Sequence, residues 1–343
     1  MKQIWITKAG KPEVLQIREA PDPKPGEGEI LIKVQSAGIN FADIMARLGL
    51  YQDAPDLPCV VGYEVSGIVE ATGEGVDNVH PGDKVIGLTR FQGYSSKIVV
   101  PDIQVFPLPE DWSVDEGAAL PVNYLTAYQL LVVMGSIREG SRVLIHGAGG
   151  GVGTAATQIA QIFNATIYGT ASPGKHDYIK RNGVDYPIDY RNEDFVERVM
   201  DFTDGSGVEI VIDAIGGKHW KRSYDVLRST GRLLMFGVSS MAQSKKRSFF
   251  QTMKTLLSIP ILKFYPVKLI NENKGVLGVN VGHLWHEQSM VNTWADQLLK
   301  WAESGQIRPV VDTTFAFEDA PDAHHYIQDR KNKGKVCLHP DVE

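Results

Sequence analysis

The sequence predicts an α/β protein of two domains: a small, mostly antiparallel β-barrel, then a doubly wound parallel sheet covered by helices. Three observations carry this expectation. Short Val- and Ile-rich runs, broken by turn residues, fill roughly the first 120 positions. From about residue 123 apolar strands alternate with helical patterns. Five glycines stand between residues 147 and 153, where the first strand of that alternating region ends.

The early runs are "EILIKVQSAGIN" (29–40), "EVSGIVEATG" (64–73), "DKVIGL" (83–88) and "SSKIVV" (95–100), punctuated by Gly-Asp, Gly-Glu-Gly and Pro-Gly. Such β-branched runs between turn signals read as strands of an antiparallel sheet. A helix, "NYLTAYQLLVVM" (123–134), marks the change of rhythm. The strands that follow are "SRVLIHG" (141–147), "ATIYGTA" (165–171), "VEIVIDAIG" (208–216) and "GRLLMFG" (231–237). Continuously apolar strands separated by helices imply a parallel sheet buried on both faces. "KGVLGVNVG" (274–282) reads as a late strand at the sheet edge. The tail 310–338 reads strand, helix, strand and is expected to rejoin the first domain. The boundaries expected are 1–122 with 306–343 for the barrel, and 123–305 for the parallel sheet.

Composition narrows the function classes. With 343 residues, 43% of them hydrophobic, the chain is long enough for two cores. Its formal net charge of −6 leaves no basic footprint for nucleic acid. Two cysteines, Cys59 and Cys337, argue against a disulfide scaffold and for a reducing, cytoplasmic compartment. The opening "MKQIWITKAG" reads as a strand rather than a signal peptide, and no apolar run is long enough to span a bilayer.

The glycine cluster needs a cause, because each glycine raises the entropy cost of ordering the chain. It follows a strand and opens an amphipathic helix, where a dinucleotide-binding turn belongs. Gly149, Gly150 and Gly151 would let backbone N–H groups approach a pyrophosphate, and Gly153 would let the helix pack close to the sheet. The alternative is a glycine-rich turn that only lets a strand and a helix pack. The next strand tip, "GTASPGKHDY" (169–178), has no acid from Gly169 through Ser172 to receive a ribose 2′-hydroxyl. It offers Ser172 and Lys175 instead, which suits a 2′-phosphate and hence NADPH. Lys175 as an ordinary solvated lysine is the competing reading.

Taken with "AGINFADIMARLGLY" (37–51), "PGDKVIGL" (81–88), "NYLTAYQLL" (123–131), "AGGGVG" (148–153), the 169–191 stretch and "KNKGKVCL" (331–338), the chain resembles a medium-chain dehydrogenase/reductase. It is most similar to the zinc-independent quinone oxidoreductase branch, and there to vesicle amine transport protein-like members. The resemblance runs almost end to end. It implies a GroES-like catalytic domain, a Rossmann domain and a cofactor in the cleft between them. By position, Asn40 would contact the nicotinamide ribose, Thr126 would lie near the nicotinamide or pyrophosphate, and Gly149, Gly150, Gly151 and Val152 would hold the pyrophosphate. Ser172, Lys175 and Tyr190 would surround the 2′-phosphate, Phe236 and Gly237 would add cofactor contacts, and Asn332 or Lys333 would close the site from the tail.

Zinc-dependent members of the superfamily use Cys and His ligands. Here "GINFAD" has no cysteine, Tyr63 stands where those relatives put a histidine, and no four-cysteine lobe follows residue 88. His283 with His286, and His324 with His325, lack a convincing third ligand, so no metal is expected. A quinone or enone carbonyl is already electrophilic and needs only hydrogen-bond support to accept hydride. Tyr63 and Tyr51 are the candidates to donate that bond, with Asn40 beside them; the alternative for each tyrosine is an aromatic pocket wall. The expected function is NADPH-dependent reduction of a quinone or enone. The alternatives are an enoyl-thioester reductase, or an NADPH-binding protein with little turnover that acts through partners. In relatives the late edge strand pairs across a two-fold dimer, so the resemblance implies a homodimer; a covered edge in a monomer is the competing reading. The basic and aromatic stretch 244–270 is expected to lid the substrate cleft and pack on a partner subunit, with contact to an anionic membrane surface as the competing reading.

Overall fold

The structure, a computed structural model, describes residues 1–242 and 264–340. Strands β1 (Lys2–Ile6), β2 (Leu15–Glu19) and β3 (Glu29–Gly38) come first, then helix α1 (Phe41–Arg47). Strands β4 (Glu64–Thr72), β5 (Lys84–Leu88), β6 (Lys97–Pro101) and β7 (Val105–Pro107) follow, with helices α2 (Val114–Ala119) and α3 (Pro121–Tyr128) after them. A π-helical turn, Gln129–Met134, extends α3. Then β8 (Arg142–His146), α4 (Gly151–Ile162), β9 (Thr166–Ala171), α5 (His176–Arg181), β10 (Tyr186–Asp189), α6 (Phe195–Phe202), β11 (Val208–Asp213), α7 (Lys218–Asp225) and β12 (Leu227–Met235) alternate. Helix α8 (Pro266–Glu272), β13 (Gly275–Gly278), α9 (Gln288–Glu303), β14 (Val311–Ala316), α10 (Ala320–Gln328) and β15 (Lys335–His339) complete the chain.

The chain divides into two compact units, Met1–Leu125 with Leu284–Glu343, and Thr126–His283. In the first, one sheet runs β14-β15-β3-β4-β5-β7, with β6 pairing the edge of β3 opposite β4. All its pairings are antiparallel except β14 with β15, which are parallel because α10 carries the chain back between them. The β1–β2 hairpin is tied on through the bridges Gln3–Ser95 and Ile6–Cys59. Alternation along β3 turns Ile30, Ile32 and Val34 into a core shared with Ile4, Val65, Val85 and Val100. Each such fully buried aliphatic side chain contributes about 1.5–3 kcal/mol. The tail joins the first unit through β15 against β3. The unit takes in more of the tail than expected, beginning at Leu284 rather than residue 306. Helix α9 belongs to it because it packs on the turn before β7, where Asn292 Nδ2 donates to the Ile103 carbonyl at 3.0 Å.

The second unit is a six-stranded sheet in the order β10-β9-β8-β11-β12-β13, parallel throughout. This is the doubly wound order in which the chain starts in the middle, builds outward to one side and then returns to build the other. The reversal falls between β8 and β11. Val143, Leu144, Ile145, Val211 and Ile212 in the central strands are fully buried, as strands covered on both faces must be. Of the basic stretch 244–270, residues up to 263 lie outside the described residues, and α8 lies at its end.

Candidate active site

In the parallel-sheet unit the strand ends that flank the reversal carry the glycines. Gly147 leaves β8 with φ +72°, a conformation glycine adopts without strain. Its N–H donates to Thr170 Oγ1 at 3.2 Å, and the Ala148 N–H donates to the Thr170 carbonyl at 3.1 Å. These bonds lash the turn to the tip of β9. Helix α4 then starts from Gly150, which provides no side-chain cap. Its first N–H groups, with the partial positive charge of the helix end, point out of the carboxyl edge of the sheet. A Cβ on Gly153 would lie 2.3 Å from the Gly147 carbonyl oxygen, so helix and turn meet there as only glycine permits. A Cβ on Gly150 would come no nearer than 3.5 Å to any neighbour, so close packing does not demand that glycine.

The expected cofactor residues that follow β9, β10 and β12 lie at the same edge. A Cβ on Gly149 would lie 2.9 Å from Lys175 Cδ, which places the lysine stem over the glycine turn. Ser172 opens the short turn Pro173–Lys175, its carbonyl accepting from the Lys175 N–H at 2.9 Å. Tyr190 is exposed at the end of β10. The acid before it, Asp189, is bound into its own loop, accepting from the Arg191 N–H at 3.0 Å and Asn192 Nδ2 at 2.6 Å. Phe236 and Gly237 follow β12, and the Phe236 N–H donates to the Asp213 carbonyl. Thr126 is buried on α3.

Beneath this edge lies a polar hub that the sequence reading did not single out. His146, Asp213 and His219 bring metal-ligand atoms within 4.8 Å of one another. Ser223 Oγ stands among them, 2.7 Å from Asp213 Oδ2, 3.1 Å from His146 Nε2 and 3.4 Å from His219 Nδ1. His219 Nδ1 also pairs directly with Asp213 Oδ2 at 2.7 Å, so these ligand atoms are engaged with one another. Asp213 Oδ1 accepts from the Ile215 N–H at 2.7 Å, and His146 Nδ1 meets Thr170 Oγ1 at 3.2 Å. The hub thus braces the loop after β11 and the tip of β9. Its histidines lie 73 positions apart in sequence, so only the sheet register could have revealed them.

In the barrel unit, Asn40 caps α1. Its backbone N–H donates to Asp43 Oδ2 at 2.7 Å, and its amide Nδ2 donates to Glu64 Oε1 at 2.7 Å. Lys335 Nζ donates to Asn40 Oδ1 at 2.8 Å and forms an ion pair with Glu64. The second Glu64 oxygen accepts from the Val122 N–H at 2.7 Å. Both side chains of the pair are buried, Glu64 completely and Lys335 to within 3%. The amide of Asn40 is therefore fixed in one orientation, with one N–H left for a ligand. Glu64 and Lys335 belong to no motif that marks them in the sequence. Two charged residues embedded in strand patterns were the available signal.

Tyr63 is 6% exposed, and its hydroxyl makes no hydrogen bond among the described residues. The Tyr51 ring meets it edge-on at 6.4 Å between centroids, and Phe91 lies at 5.2 Å. Burial pushes both phenols above their ordinary range, so each keeps its proton and remains a donor. Asn332 Nδ2 donates to the Gly334 carbonyl at 2.9 Å, and the Lys333 N–H donates to Asp312 at 3.0 Å. Both contacts shape the turn that delivers Lys335 to Asn40.

Comparison with known proteins agrees with this architecture. Residues 26–110 match the alcohol dehydrogenase GroES-like domain, and residues 182–338 match a family described as zinc-binding dehydrogenase. The human synaptic vesicle membrane protein VAT-1 homolog is 38% identical over 330 residues, covering 96% of this chain and 83% of the relative. The chain belongs to the medium-chain dehydrogenase/reductase superfamily, in its VAT-1-like quinone oxidoreductase branch. Among solved structures, Escherichia coli quinone oxidoreductase complexed with NADPH superposes with a TM-score of 0.86 at 30% identity, covering 99% of this chain and 100% of that one. The CurK enoyl reductase superposes with a TM-score of 0.85 at 28% identity, over 98% of each chain.

The first unit is accordingly the GroES-like domain and the second the Rossmann domain. Asn40, Tyr63 and Glu64 offer an amide, a phenol and a carboxylate already paired with an ammonium group. That donor set does not fit a catalytic zinc, which needs three ligands and an open position. Among the described residues, no helix is long and apolar enough to cross a membrane.

Proposed function

We propose that this oxidoreductase is a zinc-independent, NADPH-dependent reductase of quinones or α,β-unsaturated carbonyls. The observation that carries the reading is the Tyr63 hydroxyl: buried, protonated and, among the described residues, with no partner in hydrogen-bond geometry, in an aromatic lining shared with Tyr51. A buried polar group left unsatisfied costs about 1–3 kcal/mol, and a substrate oxygen would relieve that cost. NADPH, when bound, supplies the hydride. The Gly147–Gly151 turn and the start of α4 would receive the pyrophosphate, and Lys175, with Ser172 and Tyr190, the 2′-phosphate. Asn40, locked by Glu64 and Lys335, would orient the nicotinamide ribose. Tyr63 would donate to the substrate oxygen as negative charge develops there, with Tyr51 supporting it.

The likeness to an enoyl reductase supports enoyl-thioester reduction as a second reading. Rates of NADPH oxidation against quinones, enones and enoyl thioesters, with a no-substrate control, separate the two. NADPH binding without turnover on any of them would instead favour a role through partners, as the vesicle-protein relative's name suggests for that protein. Stoichiometric zinc in the purified protein would overturn the zinc-independent assignment. For assembly, we infer a homodimer: β13 pairs only with β12 among the described residues, which leaves a sheet edge for a second copy. Sedimentation at the monomer mass of 37.8 kDa would refute it.

A further inference from the structure

A buried chain of hydrogen bonds in the GroES-like unit ends at the residues proposed to act on substrate. Arg47 is fully buried, and its guanidinium donates from Nε to His324 Nδ1 at 3.2 Å, with its other nitrogens on the Gly10 carbonyl and Gln328. Arginine has no acceptor capacity, so His324 Nδ1 must be the acceptor and its proton must sit on Nε2. Nε2 faces the Tyr94 hydroxyl at 3.4 Å. Tyr94 therefore receives there, and its own proton goes to Asp43 Oδ2 at 3.0 Å. Asp43 also accepts from the Asn40 N–H at 2.7 Å and from the Gly62 N–H, next to Tyr63, at 3.1 Å. The donors run in one direction, from a cation that has no carboxylate in contact among the described residues to a carboxylate that has no cation in contact among them.

We propose that Arg47, His324 and Tyr94 are positioning residues that hold Asp43 as a carboxylate, and that Asp43 in turn fixes Asn40 and the Gly62–Tyr63 peptide for the reaction. The inference rests on the reductase reading above. The ionised carboxylate accepts all three bonds with charge assistance, and protonation weakens every one of them. A proton on either oxygen turns an acceptor site towards a donor. Burial pushes Asp43 up to about 7, against the bonds from Asn40 and Tyr94 and the charge of Lys335. Each donor therefore decides how much carboxylate is present at neutral pH. The titratable groups facing it are Lys335 from β15, Tyr94, and Tyr51 and Tyr63 from the adjoining loops. Glu64 acts on Tyr94, and Glu13 and His325 act on the far end at Arg47 and His324. Burial holds Tyr94 protonated and His324 neutral across this range, so Asp43 is the member of the chain that titrates near neutrality.

The test is a carbon-13 carboxyl NMR titration of the full chain with labelled aspartate, the Asp43 signal being identified by its loss in Asp43→Asn. The wild-type signal should titrate near pH 7. Tyr94→Phe removes one charge-assisted bond and should raise the midpoint by about 1–2 pH units. His324→Gln breaks the chain one step earlier and should raise it less, and it serves in place of Tyr94→Phe should that variant not fold. The alkaline shift should reappear in the rising limb of kcat for NADPH-dependent reduction. A merely structural chain would lower stability in both variants while the Asp43 midpoint stayed put, and that result overturns the proposal. Absence of turnover in the wild type would overturn the reductase reading and leave the carboxyl titration to decide the relay.

Discussion

Lys335 donates to the Asn40 amide oxygen at 2.8 Å while forming an ion pair with Glu64, and neither charge reaches water to any extent. Removing one member of such a pair strands the other. Lys335→Met should therefore cost about 3–5 kcal/mol in urea unfolding, and adding Glu64→Leu should return most of that loss. A single-variant cost below about 1 kcal/mol would show that the pair is not what holds Asn40.

Acid should destabilise the fold through its buried imidazoles. Burial lowers His146 from 6.5 to about 3, and burial together with Arg47 keeps His324 well below its ordinary value. Below pH 6.5 the unfolded chain takes up protons there that the folded chain refuses, so stability falls as pH drops. Asp43 works the other way: its raised value lets the folded chain hold a proton longer, so its contribution is lost as pH rises from 3.8 towards about 7. Two histidines against one carboxyl leave a net loss on the acid side. His146→Gln should flatten that limb by about 1.4 kcal/mol per pH unit between roughly pH 6 and 4. Urea midpoints at several pH values measure it, and an unchanged slope would refute the assignment.

Much of this fold was legible because its local patterns obey one cause each. The glycines from Gly147 to Gly153 read correctly as a strand-to-helix turn, since Gly153 has no room for a side chain against Gly147. The β8, β9, β11 and β12 runs read as parallel strands because burial on both faces leaves no polar alternation. The domain limit near residue 284 was not legible. Helix α9 continues the strand–helix rhythm in sequence, while its partner, the Ile103 carbonyl, is 189 positions away. The hubs around Asp213 and Asp43 were hidden for the same reason. Each joins residues from several elements, and nothing local distinguishes His324 in a helix from any other histidine.

Lys175 lies over the glycine turn at the tip where NAD-binding relatives would need an acid. A charge-assisted contact to a 2′-phosphate is worth about 1.5–3 kcal/mol, so NADPH should bind roughly 10- to 150-fold more tightly than NADH. Lys175→Ala should narrow the difference. Cofactor fluorescence titration decides it: equal affinities in the wild type would remove Lys175 from the site.

Tyr63 separates two roles by a single oxygen atom. Among the described residues its buried hydroxyl has no partner in hydrogen-bond geometry, and its ring packs on Tyr51 and Phe91. If the hydroxyl supports the developing enolate or hydroquinone oxygen, Tyr63→Phe should keep the lining intact and slow hydride transfer. Losing one positioned donor costs up to about 10²–10³ in rate. Single-turnover NADPH oxidation should fall by that order while NADPH affinity holds, because no bond to the rest of the chain is lost. Stability should hold or rise slightly, since the substitution deletes a buried hydroxyl that nothing satisfies. An unchanged rate in Tyr63→Phe, with substrate binding disturbed only in Tyr63→Ala, would make Tyr63 a wall of the pocket. Carbonyl activation would then fall to Tyr51, and Tyr51→Phe in the same assay would show the rate loss instead.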